Sequence, residues 1–301
     1  MTDRTLRPLR LSRQALSRHL AGFLRSLRGK RPETRGTYER ALREFARWFS
    51  RDRRCRFRVN DIERYKNYLA GTRKLSEVSV STYLTALRRF CRYLVGVRLL
   101  EQNPASLVSG NSRPRRHSRE GLSPDDVVRL LNVLLHDDER GLRDRAVVEL
   151  MLSCGLSEIE IIRANVADLH AVEGHKSLAV QGKGRTRKDA SVDIPPPVAE
   201  TIEKYLALRP RRSAGDPLFL SAGNSSRGRR LTTRSLRDRV NHHLERAGLR
   251  TDRSKSRVTP YSLRHTTGLL LASSGASADE IRKRMRLGTL ETAQLYLDKH
   301  H

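Results

Sequence analysis

The sequence is poor in cysteine, tryptophan and acidic residues, and it contains no long apolar run. Its three cysteines, Cys55, Cys91 and Cys154, stand far apart and lack the spacing of a disulfide framework or a zinc site. No apolar stretch reaches the roughly 18 residues that a membrane span needs, and no apolar segment of a signal peptide follows the basic N-terminus. These absences predict a protein of the reducing cytoplasm that is not inserted in a membrane.

Basic residues, in contrast, are abundant. The chain has 61 lysines and arginines against 33 acidic residues, which gives a formal net charge of +28 over 301 residues. Such an excess attracts a polyanion, because each neutralised phosphate releases condensed counterions. A nucleic acid is therefore the expected partner. A ribosomal or other RNA-binding protein and a solvated arginine-rich surface are the alternatives.

The spacing of apolar residues divides the chain into two domains. In the first hundred residues, apolar side chains recur at helical spacing in 34–49 and 78–94, and Asn60 is the predicted N-cap of a helix between them. Asn103-Pro104 ends this run. The next segment is almost free of apolar residues and rich in arginine, as expected of a basic linker along a phosphate backbone or of a solvated connector. The predicted boundaries are an N-terminal domain at 1–107, a linker at 108–120 and a C-terminal domain at 121–301.

The second domain is predicted to be helical around one small β region. The run from Ser123 to Asp126 combines a capping serine, a proline at the first helical position and acidic residues in the first turn. Two short strands are expected in 177–195, around a basic turn that contains Gly182, Lys183 and Gly184. Further helices are predicted at 145–152, 198–208, 233–247, 263–274, 278–286 and from 292 to the end. The expected fold is mainly α with a small β-hairpin or sheet in the C-terminal domain.

Two motifs near the C-terminus carry chemistry. Arg264 stands in the sequence Tyr-Ser-Leu-Arg-His, predicted as a turn in which its planar fork of donors can bind a phosphate. Tyr296 follows on a short terminal helix and can act as a nucleophile. No acidic or histidine cluster has the spacing of a metal site, and no phosphate-binding glycine loop is present. Covalent attack on a DNA phosphodiester, without metal or cofactor, is the chemistry that this pattern favours.

These residues resemble the active site of the tyrosine recombinases, also called phage integrases, and the layout resembles the Xer-type members along nearly the whole chain. The resemblance implies an N-terminal helical core-binding bundle, a recombinase catalytic domain and a C-shaped clamp around double-stranded DNA. It further implies a 3′-phosphotyrosine intermediate, no cofactor, and a tetramer on paired sites, formed by this chain alone or with partner recombinases. The protein would then lie with the nucleoid in a bacterial cytoplasm.

The resemblance assigns roles to individual residues. Tyr296 matches the nucleophile, and Arg264 matches the second arginine of the family. Lys183 matches the hairpin lysine that protonates the leaving oxygen, with Lys188 as the nearby alternative, and the flanking glycines would let this turn approach DNA closely. The further expected DNA contacts are Arg113, Arg115, Arg116 and Arg119 in the linker, Arg185, Arg187 and Lys188 in the hairpin, and His265.

Three positions depart from the family pattern. Ser157 stands where the first arginine is expected, and with Glu160 it also forms a plain capping box for a helix that runs through Ile162. Tyr261 replaces a histidine, and its phenol can still donate to a phosphate oxygen. Leu287 replaces the last histidine or tryptophan; with a two-residue gap, Thr289 falls there instead. Arg163 or Arg286 is the candidate for the missing charge.

The leading hypothesis is a site-specific DNA recombinase, an integrase or transposase of a mobile element. A non-catalytic DNA-binding homologue that assists a partner recombinase is the alternative, which Ser157 and Leu287 favour. An enzyme that only cuts and reseals, similar to type IB topoisomerases or telomere-resolving enzymes, is a third possibility. Only five residues follow Tyr296, so an exchange of C-terminal segments between protomers is expected to use another surface.

Overall fold

The computed structural model describes residues 9, 11–30, 32–51, 56–110, 120–172, 174–182, 184–209, 212–223, 227–251 and 256–298. The chain divides into two compact units, Met1–Pro114 and Arg115–His301. Helices dominate both units, and the second also holds a small sheet, which confirms the predicted fold class. Within the described ranges, no helix is both long and apolar enough to span a membrane.

The first unit is a set of helices around an aromatic core. Its helices are α1 (Arg13–Ser26), α2 (Pro32–Arg51), α3 (Val59–Asn67) and α4 (Glu77–Gly96), with a π-helical turn at Tyr68–Thr72 and a 3-10 turn at Pro104–Ser106. Phe45 and Tyr65 are fully buried, with their rings 5.1 Å apart in an edge-to-face arrangement. Helix α1 was not predicted, although Leu16, Leu20 and Phe23 recur at helical spacing and are buried.

The start of α3 differs from the prediction. The N-cap is Arg58 and not Asn60, which lies inside the first turn. The Asp61 carboxylate accepts hydrogen bonds from the backbone N–H groups of Arg56, at 2.7 Å, and Arg58, at 3.0 Å. A carboxylate in the first turn satisfies these donors and also favours the positive end of the helix dipole, so the helix begins two residues earlier.

The ends of the predicted linker pack onto the two units. Val108 is fully buried in the core of the first unit, and its carbonyl accepts a hydrogen bond of 2.6 Å from Arg88. At the other end, Glu120 forms an ion pair of 2.9 Å with Arg257 in the second unit. Residues 111–119 lie outside the described part of the chain.

The second unit is built from helices and a three-stranded sheet. Its helices are α5 (Pro124–Asn132), α6 (Glu139–Ser153), α7 (Glu158–Arg163), α8 (Pro196–Ala207), α9 (Thr233–Arg246), α10 (Pro260–Ser273), α11 (Ala278–Arg284) and α12 (Leu290–Leu297). The predicted cap of α5 is confirmed, since the Ser123 hydroxyl accepts from the Asp126 N–H at 3.1 Å and Pro124 is the first helical residue.

The sheet is antiparallel in the order β1-β2-β3 and holds one strand more than predicted. Its strands are β1 (Leu169–Val172), β2 (His175–Val180) and β3 (Ala190–Ile194). Leu178 in the central strand is opposite Leu169 on one side and Val192 on the other. The connection between β2 and β3 carries the basic turn, as the sequence predicts.

Most apolar side chains of the second unit form one core between α5–α9, the sheet and the start of α10. A separate small core lies between α10, α11 and α12. Its buried members are Ala272, Ile281, Met285, Ala293 and Tyr296. The candidate nucleophile therefore belongs to the packing that holds the terminal helix in place.

Candidate active site

A cavity of about 440 Å³ lies in the second unit, beside the residues that the sequence singled out. The start of α7, the β2–β3 connection, the start of α10, and α11 with the segment after it form its wall. The lining includes the predicted residues Ser157, Arg185, Tyr261, Arg264, Arg286 and Leu287. The structure thus brings together side chains that are more than a hundred residues apart in sequence.

Arg264 is buried at this cavity, with 8% of its side chain exposed. It lies one turn into α10 and not in a turn between elements, because Pro260 occupies the first position of the helix. Its Nη1 donates to the Gly155 carbonyl at 2.6 Å and to Glu160 Oε2 at 2.9 Å, and its Nη2 donates to the Met285 carbonyl. The guanidinium is therefore fixed in orientation before any ligand binds.

Glu160 is the acceptor around which the basic groups assemble. Its Oε1 accepts from Arg286 Nε at 2.6 Å, while its Oε2 accepts from Arg264 and from Ser157. Burial raises the pKa of this carboxyl, but the hydrogen bond and charge of Arg286 and the charge of Arg264 outweigh burial and lower it. Glu160 is therefore ionised at neutral pH, one negative charge between two guanidiniums.

Ser157 performs the structural role that its capping box predicts. Its hydroxyl accepts from the Glu160 N–H at 3.4 Å and donates to Glu160 Oε2 at 2.7 Å, as the N-cap of α7. Arg163, the last residue of α7, donates to the Gly182 carbonyl at 3.0 Å. Arg163 thus holds the β2–β3 connection directly before Lys183, which itself lies outside the described residues.

Tyr296 is fully buried against α10. A Cβ at position 268 would lie 2.3 Å from the Tyr296 Cε1, so only glycine leaves room for the ring. The His265 ring packs on the same tyrosine, with centroids 5.0 Å apart. Burial and then the neighbouring Tyr261 raise the pKa of Tyr296 well above its usual range, and the Arg264 charge opposes them. The phenol is therefore protonated at neutral pH and close enough to Arg264 for their charges to interact.

His265 is buried in this conformation. We expected a DNA contact, but the side chain has no exposed surface and lies behind the Tyr296 ring. In this conformation His265 packs on Tyr296, and its contact with DNA stays a prediction. Tyr261, in contrast, is 42% exposed and borders the cavity, where its hydroxyl can act as a donor.

The β2–β3 connection presents several of the predicted basic residues. Arg185 and Arg187 are exposed, and Arg185 pairs with Asp189 at 3.2 Å. Lys188 forms an ion pair with Asp168. Gly184 has φ of 92°, a conformation that favours glycine. Of the predicted site residues, Lys183, Arg113, Arg115, Arg116 and Arg119 lie outside the described part of the chain.

Sequence reasoning missed two contributors to this site. Glu160 was recognised as a helix cap and not as the partner of Arg264 and Arg286. Gly268 was not singled out, although it is the surface on which Tyr296 rests. Both roles arise from contacts between distant segments, and no local pattern signals them.

Both units of the chain resemble known proteins. The profile described as "Phage integrase family" matches residues 120–301, and that described as "Phage integrase, N-terminal SAM-like domain" matches residues 18–101. Tyrosine recombinase XerC of Pelobacter propionicus is 29% identical over 277 residues, which cover 91% of this chain and 87% of that protein. XerC of Thermodesulfovibrio yellowstonii is 30% identical over 73% of this chain and 71% of its own.

The fold is likewise similar to that of solved recombinases. The structure of the XerH site-specific recombinase bound to palindromic difH substrate superposes with a TM-score of 0.74 at 18% identity, over 96% of this chain and 81% of that one. The chain therefore belongs to the phage integrase family, the tyrosine recombinases that carry out site-specific recombination.

Proposed function

We propose that this protein cuts and rejoins double-stranded DNA through a covalent 3′-phosphotyrosine intermediate on Tyr296. The observation that carries the proposal is the placement of Arg264. Its guanidinium is fixed at the cavity by Glu160 and the Gly155 carbonyl, and its charge acts on the Tyr296 phenol. A preorganised cation beside a nucleophile is what stabilisation of a phosphoryl-transfer transition state requires.

The proposed chemistry needs no metal or cofactor. Tyr296 Oη gives its proton to water and attacks the phosphorus, a new O–P bond forms, and the bond from phosphorus to the 5′ oxygen breaks. The leaving 5′ oxygen takes a proton, which the family resemblance assigns to Lys183. Attack by another 5′ hydroxyl reverses these steps and releases Tyr296. Arg264 and Tyr261 donate to the non-bridging oxygens throughout.

The buried position of Tyr296 requires a rearrangement before the first step. The hydroxyl is enclosed between α10 and α12, whereas the scissile phosphate enters from the open cavity. Either the side chain rotates away from Gly268 or α12 shifts when DNA binds. We expect the active form to be a tetramer on paired sites, of this chain alone or with partner recombinases.

A trapping experiment tests the proposal. The binding site is first selected from a pool of random duplexes, and the selected duplex then receives a nick that lets the freed 5′ end diffuse away. We expect a protein–DNA adduct that survives denaturation, and none with Tyr296→Phe. Tyr261→Phe, which leaves the nucleophile in place, should slow formation of the adduct without abolishing it. An adduct that persists in Tyr296→Phe would contradict the assignment.

The role of Lys183 is tested on the same substrate. Lys183→Ala should slow cleavage, and a sulfur in place of the bridging 5′ oxygen should restore it, because a thiolate leaves without a proton. Lys188→Ala, which removes the nearby alternative acid already paired with Asp168, should slow cleavage less than Lys183→Ala does. A slow Lys183→Ala reaction on both substrates would remove Lys183 as the acid.

The alternative is a DNA-binding homologue that assists a partner recombinase. It is favoured by the neutral Ser157 at the first-arginine position and by the enclosed tyrosine. Site-selective binding without any adduct, even on the nicked duplex, would support it. We also propose that the recombinase belongs to a mobile element. Sequencing the DNA trapped from total genomic fragments tests this, since the trapped sites should border a transferable segment.

A further inference from the structure

Two guanidiniums at the cavity share a single negative charge. Arg264 and Arg286 both bind Glu160, and both donate to the Gly155 carbonyl, at 2.6 and 2.9 Å. The other basic side chains of the lining have acidic partners nearer the surface: Arg185 pairs with Asp189, and Arg282 and Lys283 pair with Asp279. The pair around Glu160 therefore carries an excess of one positive charge beside an open cavity, as an anion site requires.

Arg286 reaches this position through an unusual backbone. It follows the end of α11 with φ of 51°, in the left-handed region that few residues other than glycine adopt. This turn directs its side chain back across the cavity, where Nε binds Glu160 at 2.6 Å and Nη1 binds the Arg284 carbonyl at 2.6 Å. These contacts hold the strained turn, and the Arg286 side chain, which lines the cavity, is 13% exposed.

The same contacts place Arg286 beside the start of α7. Glu160 and the carbonyl of Gly155 flank Ser157 in sequence, and Arg286 binds both. Ser157 itself is neutral and donates its hydroxyl proton to Glu160. Arg163 binds the Gly182 carbonyl and does not border the cavity within the described residues. Besides Arg264, which matches the second family arginine, Arg286 is therefore the basic residue of the described cavity lining that contacts both neighbours of the position left without charge.

We propose that Arg286 supplies the second positive charge on the scissile phosphate, so that the segment between α11 and α12 completes a site that α7 leaves neutral. This inference rests on the proposed function and deepens it. In the transition state, as the bond from Tyr296 Oη forms and the bond to the 5′ oxygen breaks, Arg264 and Arg286 each donate to a non-bridging oxygen. Both guanidiniums keep Glu160 as their shared anchor.

The first test measures cleavage of the nicked duplex by Arg286→Ala. We expect a loss of about 100- to 1,000-fold, the usual effect of removing a transition-state donor. Arg286→Lys should recover part of the rate, because lysine keeps the charge but not the fork. Arg284→Ala is the matched control: it removes an exposed arginine two residues away and should cleave normally.

The second substrate separates a direct phosphate contact from a structural role. In a methylphosphonate, a methyl group replaces one non-bridging oxygen of the scissile phosphate and removes its negative charge. A cation that acts on that charge no longer stabilises the transition state of this substrate. The wild type should therefore cleave it no more than about ten times faster than Arg286→Ala does. An equal loss on both substrates, or Arg286→Ala activity equal to that of Arg284→Ala, would overturn the proposal.

A third measurement does not depend on cleavage. Millimolar inorganic phosphate, compared with chloride at the same ionic strength, should raise the Tm of the wild type and of Arg284→Ala by about 3 °C. Arg286→Ala should show no such rise, and a rise equal to that of the wild type would contradict the anion site. If neither the wild type nor any variant forms an adduct, the proposed function fails. The phosphate measurement alone then decides whether Arg286 belongs to an anion site.

Discussion

Two buried carboxylates in the second unit bind two arginines each, yet they lie in different surroundings. Asp144 on α6 accepts from Arg143 at 2.6 Å, from Arg239 at 2.7 Å, and contacts His243 Nε2 at 2.9 Å. Glu160 on α7 binds Arg264 and Arg286 in the same way. Beside Asp144 there is only a void of about 10 Å³, whereas Glu160 faces a cavity of about 440 Å³.

This difference separates stability from function. Around Asp144 the void between the helices is too small for another anion, and the ion pair with Arg239 joins α6 to α9. Around Glu160 the same chemistry leaves two guanidiniums at the edge of an open space, where a phosphate can add its charge. A buried cluster of ion pairs can therefore bind a further anion only where it borders an open cavity.

The largest effect on stability should follow from Asp144→Asn. The change leaves Arg143, whose side chain is 5% exposed, without its counter-charge, and such an uncompensated buried charge costs about 3–5 kcal/mol. Urea unfolding at neutral pH measures this loss. Asp238→Asn on α9, whose pair with Arg234 is exposed and 3.9 Å long, is the control and should change stability by less than about 0.5 kcal/mol.

Glu160→Gln should destabilise less, by about 2 kcal/mol, because Arg264 and Arg286 keep the Gly155 carbonyl and border water. The effect of phosphate on the Tm of this variant should also distinguish the ion pairs around Glu160 from those around Asp144. With Glu160 neutral, the paired guanidiniums attract phosphate more strongly, so phosphate should recover part of the lost Tm in Glu160→Gln. In Asp144→Asn, which keeps the Arg264–Arg286 pair, phosphate should give only the rise of about 3 °C expected of the wild type. Equal recovery in both variants would mean that the two clusters do not differ in access.

The pH dependence of stability gives a third comparison. Burial raises the pKa of Asp144, but the hydrogen bond from His243 and the charges of Arg143 and Arg239 outweigh it and lower the pKa to about 2. A carboxyl with a lowered pKa in the folded state stabilises above its ordinary value of 3.8 and loses this contribution as the pH falls towards 2.

We therefore expect the difference in the free energy of unfolding between the wild type and Asp144→Asn to narrow by about 2 kcal/mol as the pH falls from about 5 towards 2. Unfolding in urea at several pH values measures this narrowing. A gap that stays constant over this range would show that Asp144 keeps its ordinary pKa in the folded protein.

Much of the fold could be predicted from local signals. Ser123 with Pro124 marked the start of α5, and apolar spacing found α2 and α4, because caps and periodicity depend on neighbouring residues. The cap of α3 could not be settled in this way, since it depends on the Asp61 side chain, which accepts from the N–H groups of Arg56 and Arg58 before the helix. Strand β1 was missed because its four residues carry no alternation that stands out from the segment before it.

The site was predictable only in part. Arg264 and Tyr296 stood in recognisable motifs, and the capping box of Ser157 was readable from four residues. The sequence left Arg163 and Arg286 as equal candidates, because the choice depends on a left-handed turn at Arg286 and on a contact with Glu160 across 126 residues. The burial of Tyr296 against Gly268 is likewise a tertiary contact.

The smallest effect concerns Ser157, and it sharpens the comparison because the chain offers a matched cap. Ser277 and Glu280 form the same capping box at α11, where both the N–H and the hydroxyl of Ser277 donate to Glu280 at 2.8 Å. Ser157 and Glu160 show 2.7 Å for both contacts, but there the carboxylate is buried between arginines. Ser157→Ala and Ser277→Ala should each cost about 1 kcal/mol, the usual value of an N-cap.

If Ser157 only orders Glu160, both variants should cleave the nicked duplex at nearly the wild-type rate. Ser157→Asp, which keeps the cap but adds a negative charge beside Glu160, should slow cleavage, because it weakens the positive field of Arg264 and Arg286. If Ser157→Asp unfolds like the wild type but cleaves more slowly, position 157 affects cleavage through its charge and not through the stability of α7. A large loss of cleavage in Ser157→Ala, with Ser277→Ala unaffected, would instead make the serine hydroxyl a phosphate donor in its own right.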